Sequence, residues 1–163
     1  MGIDRNRLEQ EAVKLLQQGK TERAIERYQA LLRDDPRERR IRMQLADLYV
    51  KVGRYPEAER HYREICKSLV KAGQDRNAIP IFKQLLKLKK DDPELLEALG
   101  DAHMAAGFPN EARQVWAVEL ELLERVYPSK AVVVLQKIIK IAPAEFPLKI
   151  KLVELFEASN WSE

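Results

Sequence analysis

A single cysteine, Cys66, excludes an internal disulfide, and nothing in cysteine usage calls for an oxidising compartment. No stretch approaches the roughly 18 consecutive apolar residues of a membrane-spanning helix. The first residues, MGIDRNRLEQ, lack the apolar core of a secretion signal, and Asn6 stands where a myristoylation motif has Ser or Thr. These absences make a cytoplasmic protein the expectation. Charge of one sign is missing as well. The 29 basic and 26 acidic residues leave a net charge of +3, too little for a strong field toward nucleic acid or anionic lipid. No segment alternates polar and apolar residues with period two, so no β-strand is expected.

What the chain does have is Leu, Ala, Glu, Lys, Arg and Gln, whose side chains lose little rotamer freedom in a helix. The apolar residues fall at helical spacing. Leu8, Ala12, Leu15 and Leu16 form one stripe, Ala24, Ile25, Tyr28, Leu31 and Leu32 the next, and Ile41, Leu45, Leu48, Tyr49 and Val52 a third. The breaks are regular too. Gly19, Gly53, Gly73 and Gly107 each follow a stripe, where glycine can enter the left-handed region and close a helix. Thr21 can cap the helix after Gly19. In RDDPRE and KDDPEL, Asp35 and Asp92 can cap a helix start, with Pro36 and Pro93 at its first position; Pro147 in EFPLK is similar. These marks predict nine helices, over 4–18, 21–34, 36–52, 55–72, 75–90, 93–106, 109–126, 129–142 and 146–159. Connections this short force antiparallel hairpins and leave no long loop for an active site.

One pattern recurs. LADLYVKVGRYPEA, starting at Leu45, returns as LGDAHMAAGFPNEA, starting at Leu99, a shift of 54 residues. A shorter period lies inside it. Gly19 to Gly53, Ala24 to Ala58, Tyr28 to Tyr62 and Ala12 to Ala46 are each 34 residues, as are Gly73 to Gly107, Ala78 to Ala112 and Phe82 to Trp116.

A 34-residue period of small residues, a helix-ending glycine and an aromatic resembles the tetratricopeptide repeat, in which each repeat is two antiparallel helices, A and B. Ala12, Ala46 and Gly100 match its small residue in helix A. Gly19, Gly53, Gly107 and Asn160 match the end of helix A. Ala24, Ala58, Ala78, Ala112 and Ala131 match the small residue of helix B. Tyr28, Tyr62, Phe82 and Trp116 match the aromatic that follows, with Leu135 in its place once, and Pro36 and Pro143 match the closing proline. The family's early tryptophan in helix A is absent throughout.

The resemblance implies an all-α, right-handed α-solenoid of about nine antiparallel helices. Gly53 to Gly73 departs from it, at 20 residues instead of 34. The stretch 55–72 begins like helix B, with Ala58 and Tyr62, and ends like helix A, with Cys66, Leu69 and Gly73. One long helix serves two hairpins there, and 109–126 repeats the device. Alternating hops of 34 and about 20 make a single domain over 1–163 with three units, 1–53, 54–107 and 108–161. The fused helices should alter the curvature of the array.

Residues that could carry chemistry find structural uses. Cys66 occupies a small packing position. His61 and His103 have no metal-ligand spacing, and helix capping accounts for both DDP tripeptides. There is no glycine-rich phosphate loop, nucleophile elbow or Cys/His cluster. A non-enzyme with no cofactor and no metal site is expected.

The resemblance further implies a partner-binding concave face built from helix A. On 36–52 this face carries Arg40, Met43, Asp47, Val50 and Lys51; on 55–72, Arg60, Arg63, Lys67 and Lys71; on 93–106, Glu94, Glu97, Asp101 and Met104. A basic stripe bordering an acidic one would orient a partner of mixed charge. The paired Lys and Asn of the chaperone-binding members are not evident. The expected function is a scaffold or adaptor that holds a peptide or helix of another protein. The alternative is an RNA-binding helical repeat using Arg37, Arg39, Arg40 and Arg42 with Lys83, Lys87, Lys89 and Lys90, although these runs lack interleaved aromatics for base stacking.

At the C-terminal end, Ile150, Val153, Leu155 and Phe156 would leave apolar surface uncovered, and WSE reads as the start of a further helix B. A fragment of a longer array is expected, with an isologous homodimer through the uncovered helix as the simplest self-association.

Overall fold

The computed structural model describes residues 4–160, with side chains to 158. Among the described residues there is no strand, and nine helices follow one another. They are α1 (Arg5–Gln17), α2 (Thr21–Asp34), α3 (Arg39–Lys51), α4 (Tyr55–Lys71), α5 (Asp75–Leu88), α6 (Pro93–Ala105), α7 (Pro109–Leu123), α8 (Pro128–Ile141) and α9 (Phe146–Asn160). The fold is all-α among the described residues. No helix among the described residues is long and apolar enough to cross a membrane.

Four breaks are built alike. Gly19, Gly53, Gly73 and Gly107 have φ of 72°, 76°, 65° and 82°. The amide after each glycine reaches back into the helix: Lys20 to the Leu15 carbonyl, Arg54 to Tyr49, Gln74 to Leu69 and Phe108 to His103, at 2.8–2.9 Å. This closure satisfies carbonyls that the helix end would otherwise orphan, and a side chain at the glycine would cost roughly 1–2 kcal/mol.

The helix starts are less uniform than the sequence suggests. Asp92 caps α6 as expected, accepting from the Glu94 and Leu95 amides at 3.1 and 3.3 Å, with Pro93 at the first position. Asp35 does not cap α3. It ends α2, and its carboxylate accepts from the Arg37 amide at 2.9 Å, so Pro36 lies in a turn and the helix begins at Arg39. Thr21 is not a cap either. The Lys20 carbonyl already accepts from the Ala24 amide, which makes Thr21 the first residue of α2.

The two helices expected to serve two hairpins each are continuous: α4 runs unbroken for 17 residues and α7 for 15. Two compact units form, the first reaching to Ser68 and the second starting at Leu69. In the first, Ala12, Ala24, Ala46 and Ala58 are fully buried among Ile25, Tyr28, Leu31, Ile41, Leu45 and Tyr49. In the second, Ala78, Ala112 and Ala131 are likewise fully buried. The small residues therefore mark where helices approach closely.

The C-terminal expectation needs one correction. Leu155 is buried, in the cluster that holds Trp116, Leu120, Leu123, Leu135 and Ile138, and Leu148 and Leu152 pack against the same cluster. Residues 148, 152 and 155 form the packed stripe of α9, one helical face. Ile150, Val153 and Phe156 are exposed, as the sequence suggests. Trp161, Ser162 and Glu163, read above as the start of a further helix, lie outside the described residues.

Candidate functional site

Helix α3 buries Ile41, Leu45, Ala46, Leu48 and Tyr49, which leaves its other side for the residues expected to meet a partner. Arg40 and Asp47 on that side are already engaged within the chain. Both guanidinium ends of Arg40 bind the Glu9 carboxylate of α1, and Glu38 accepts a further bond at 3.0 Å. The bond from Arg40 holds the Glu9 carboxyl below its ordinary pKa. Asp47 accepts the Tyr62 hydroxyl at 2.5 Å. Met43 and Val50 are half-buried and Lys51 is exposed.

On α4, Lys67 and Lys71 are exposed, and half-buried Arg63 donates to Glu59 at 2.8 Å. Arg60 lies elsewhere. It lines a cavity of about 630 Å³ in the first unit, together with Arg33 of α2, Arg42 of α3 and His61. Gln29, Leu32, Pro36, Leu45 and Glu64 complete the lining. Three guanidiniums against one carboxylate favour an anionic occupant. His61 is buried, and its Nδ1 lacks a hydrogen-bond partner. Its ring stacks on Tyr49 with centroids 5.5 Å apart and planes at 8°. Burial, then the charges of Arg60 and Arg42, push its pKa down from 6.5 to about 4. The Tyr49 hydroxyl accepts from the Gln29 amide at 2.6 Å, and the Arg54 guanidinium lies 4.7 Å from the Tyr49 ring centre.

In the second unit the acidic residues of α6 are partly neutralised. Lys137, reaching over from α8, donates to Glu97 at 2.8 Å and to Asp101 at 2.9 and 3.2 Å. Its ammonium lies 5.4 Å from the Trp116 ring centre, within cation–π range. Burial opposes the Lys137 charge, but the bonds to Glu97 and Asp101 outweigh it and raise the pKa. Glu94 and Met104 are exposed. Glu94 and Glu97 line a cavity of about 280 Å³ with Glu119 of α7, which is 2% exposed and has an oxygen, Oε2, without a hydrogen-bond partner. Burial raises the Glu119 pKa to about 7; Glu97 and Asp101 add to the shift and Lys137 opposes it.

Other residues singled out in the sequence serve packing. Cys66 is buried, which pushes its thiol pKa up to about 12 and leaves it unreactive at neutral pH. His103 is buried, edge-on to Phe108 at 6.2 Å. Among the described residues no group of His, Cys, Asp and Glu could hold a metal ion. In the basic runs, Arg40 is ion-paired as above, Arg42 donates to the Pro36 carbonyl at 2.5 Å, and Lys89 lies 3.9 Å from Asp92.

Sequence reasoning missed Glu119 and Lys137. A signal for the first was present: Glu119 interrupts the buried stripe of Trp116, Leu120 and Leu123. Lys137 has no such signal, because its partners lie 36 and 40 residues away.

Residues 10–69 match the tetratricopeptide repeat family. No curated protein matches the chain. Among solved structures, a MamA crystal structure is similar at 15% identity and a TM-score of 0.47, over 91% of each chain. YrrB, titled a TPR protein with an unusual peptide-binding site, is similar at 20% identity and a TM-score of 0.38, over 90% of each chain. A thermophilic TPR protein of Thermus thermophilus, TTC0263, is similar at 15% identity and a TM-score of 0.35, over 93% of this chain and 98% of that one.

Proposed function

From a chain that carries tetratricopeptide repeats, matched over residues 10–69, we infer a protein-binding scaffold that holds a peptide or helix of a partner against its helices. The observation that carries this reading is the state of α3. One side is packed into the core, while the other presents side chains already fixed by intramolecular bonds, Arg40 to Glu9 and Asp47 to Tyr62. Side chains held in this way lose little further entropy when a partner docks, so more of the contact energy appears as affinity. Met43 and Val50 offer apolar contact beside Lys51, and on α4 Lys67 adds positive charge. A partner segment with alternating apolar and acidic residues suits this surface, and the guanidinium-lined cavity of the first unit favours the same sign.

The test is selection of binders from a displayed random-peptide library, followed by amide chemical-shift mapping on the labelled chain. Acidic-apolar peptides that shift Met43, Asp47, Lys51 and Lys67, and that lose affinity on Lys51→Glu with Lys67→Glu, support the reading. Binders that leave these residues unmoved overturn it. RNA held at physiological salt and lost with Arg37→Ala and Arg40→Ala would favour the nucleic-acid alternative instead.

Self-association is a second proposal. It rests on Phe146, Ile150 and Val153, which are 68%, 50% and 57% exposed along one side of α9. Sedimentation equilibrium with Ile150→Glu and Val153→Glu tests it: a monomer at every concentration in the unmodified chain removes it.

A further inference from the structure

We propose that the cavity between α6, α7 and α8 is a receptor for an aliphatic cation, the lysine or arginine side chain of a bound partner. Three observations carry this.

The cavity has two kinds of wall. Pro93, Leu123, Val133 and Val134 offer apolar surface to a methylene stem, while Glu94, Glu97 and Glu119 supply carboxylates for a charged head. Its volume of about 280 Å³ suits one long side chain and not a folded element.

Glu119 has no structural task there. A helix packed through Trp116, Leu120 and Leu123 would be served by an apolar residue at 119. Instead it holds a carboxyl that is 2% exposed, with Oε2 lacking any bond. A buried carboxylate without a partner destabilises a fold, and retaining one beside a cavity points to a ligand that completes it.

The local cations do not satisfy it. Lys137 is held by Glu97 and Asp101 and makes no hydrogen bond to the Glu119 Oε2. Lys130, on the cavity wall, lies 5.3 Å from the Tyr127 ring centre. The groups facing Glu119 are Glu94, Glu97 and Asp101 from α6 and Lys130 and Lys137 from α8, so with Glu119 itself four carboxylates meet two ammoniums. An incoming cation meets a negative excess and displaces the Glu119 proton.

The protein-binding reading supplies only the source of the cation, and the cavity can be tested without a partner. The probes are n-butylammonium and n-butylguanidinium, with n-butanol as the neutral control, titrated into the chain while the Glu119 side-chain carboxyl is followed by carbon NMR. Expected are saturable binding at pH 8, at least about tenfold weaker at pH 5.5, and a lowered Glu119 titration midpoint at saturation. Glu119→Gln, close in shape, should lose about tenfold in affinity at pH 8 together with the pH dependence. Val133→Trp, at the exposed rim, should block entry with the carboxyl intact. Equal binding by n-butanol, unchanged binding in Glu119→Gln, or no saturation by tens of millimolar overturns the proposal. The peptide acetyl-Ala-Lys-Ala-amide distinguishes the source. Competition with n-butylammonium supports a partner side chain, whereas exclusion of the peptide from a cavity that admits the small amine overturns that source. Loss of peptide-library binding on α3 with this cavity intact would sink the general reading alone.

Discussion

The indole of Trp116 fills the place where a side chain at residue 100 would stand. A Cβ on Gly100 would lie 2.1 Å from the Trp116 Nε1, closer than any real contact. Helix α6 and helix α7 approach as they do because position 100 has no side chain.

Gly100→Ala sets two effects against each other. Alanine is the better helix former by roughly 0.5–1 kcal/mol, but overpacking a core costs typically 1–3 kcal/mol. The clash is with a rigid ring, so the net result is a lower urea midpoint. Adding Trp116→Phe should recover part of the loss, a non-additivity that identifies the contact as the cause.

Glu119 makes the second unit more stable in mild acid than in mild base. Its pKa in the folded chain is about 7, against an ordinary 4.5, so the folded form holds the proton more tightly. Stability contributed by the protonated form is lost as pH rises from 4.5 through 7, by an amount on the order of 3 kcal/mol. Glu119→Gln should raise the melting temperature at pH 8 and change it little at pH 4.5. Equal effects at both pH values would contradict the burial of this carboxyl.

His61 works in the opposite direction in the first unit. Folding holds it neutral, with a pKa of about 4 against 6.5. The unfolded chain binds the extra proton, so stability falls as pH drops from 6.5 toward 4, on the order of 3 kcal/mol in all. His61→Phe keeps an aromatic ring against Tyr49 and should flatten this acid limb, which urea titrations at pH 7 and pH 4.5 would measure.

The two DDP tripeptides should respond differently to the same change. Asp92→Ala removes a true cap and should cost about 1 kcal/mol. Asp35→Ala removes one turn bond away from the helix start and should cost a few tenths of that. Matched thermal melts would show the difference.

The contrast between these two aspartates shows how far the sequence is legible. Both tripeptides read as caps, yet the reading holds only where the carboxylate faces free amides, which depends on the turn before it. Small residues were more dependable guides. Ala12, Ala24, Ala46, Ala58, Ala78, Ala112 and Ala131 are all fully buried, because close helix approach tolerates nothing larger at fixed intervals. Charged positions were legible one helix at a time. Nothing near Asp101 foretells Lys137, and Arg60 reads as a groove residue on its own helix although it lines a cavity with Arg33 and Arg42. Periodicity reports which side of a helix is wet; it does not report what crosses over from the next helix but one.

That crossing over has a consequence for how the chain comes apart. Arg40 ties α3 to α1 and Lys137 ties α8 to α6, each bond joining two helices that have another between them in the sequence. Where every helix holds only to its immediate neighbours, the ends fray one helix at a time. A tie that skips one helix makes the outer member leave only when the third loosens too. Amide exchange in α1 should therefore keep pace with exchange in α3, and Arg40→Ala should let α1 exchange ahead of it.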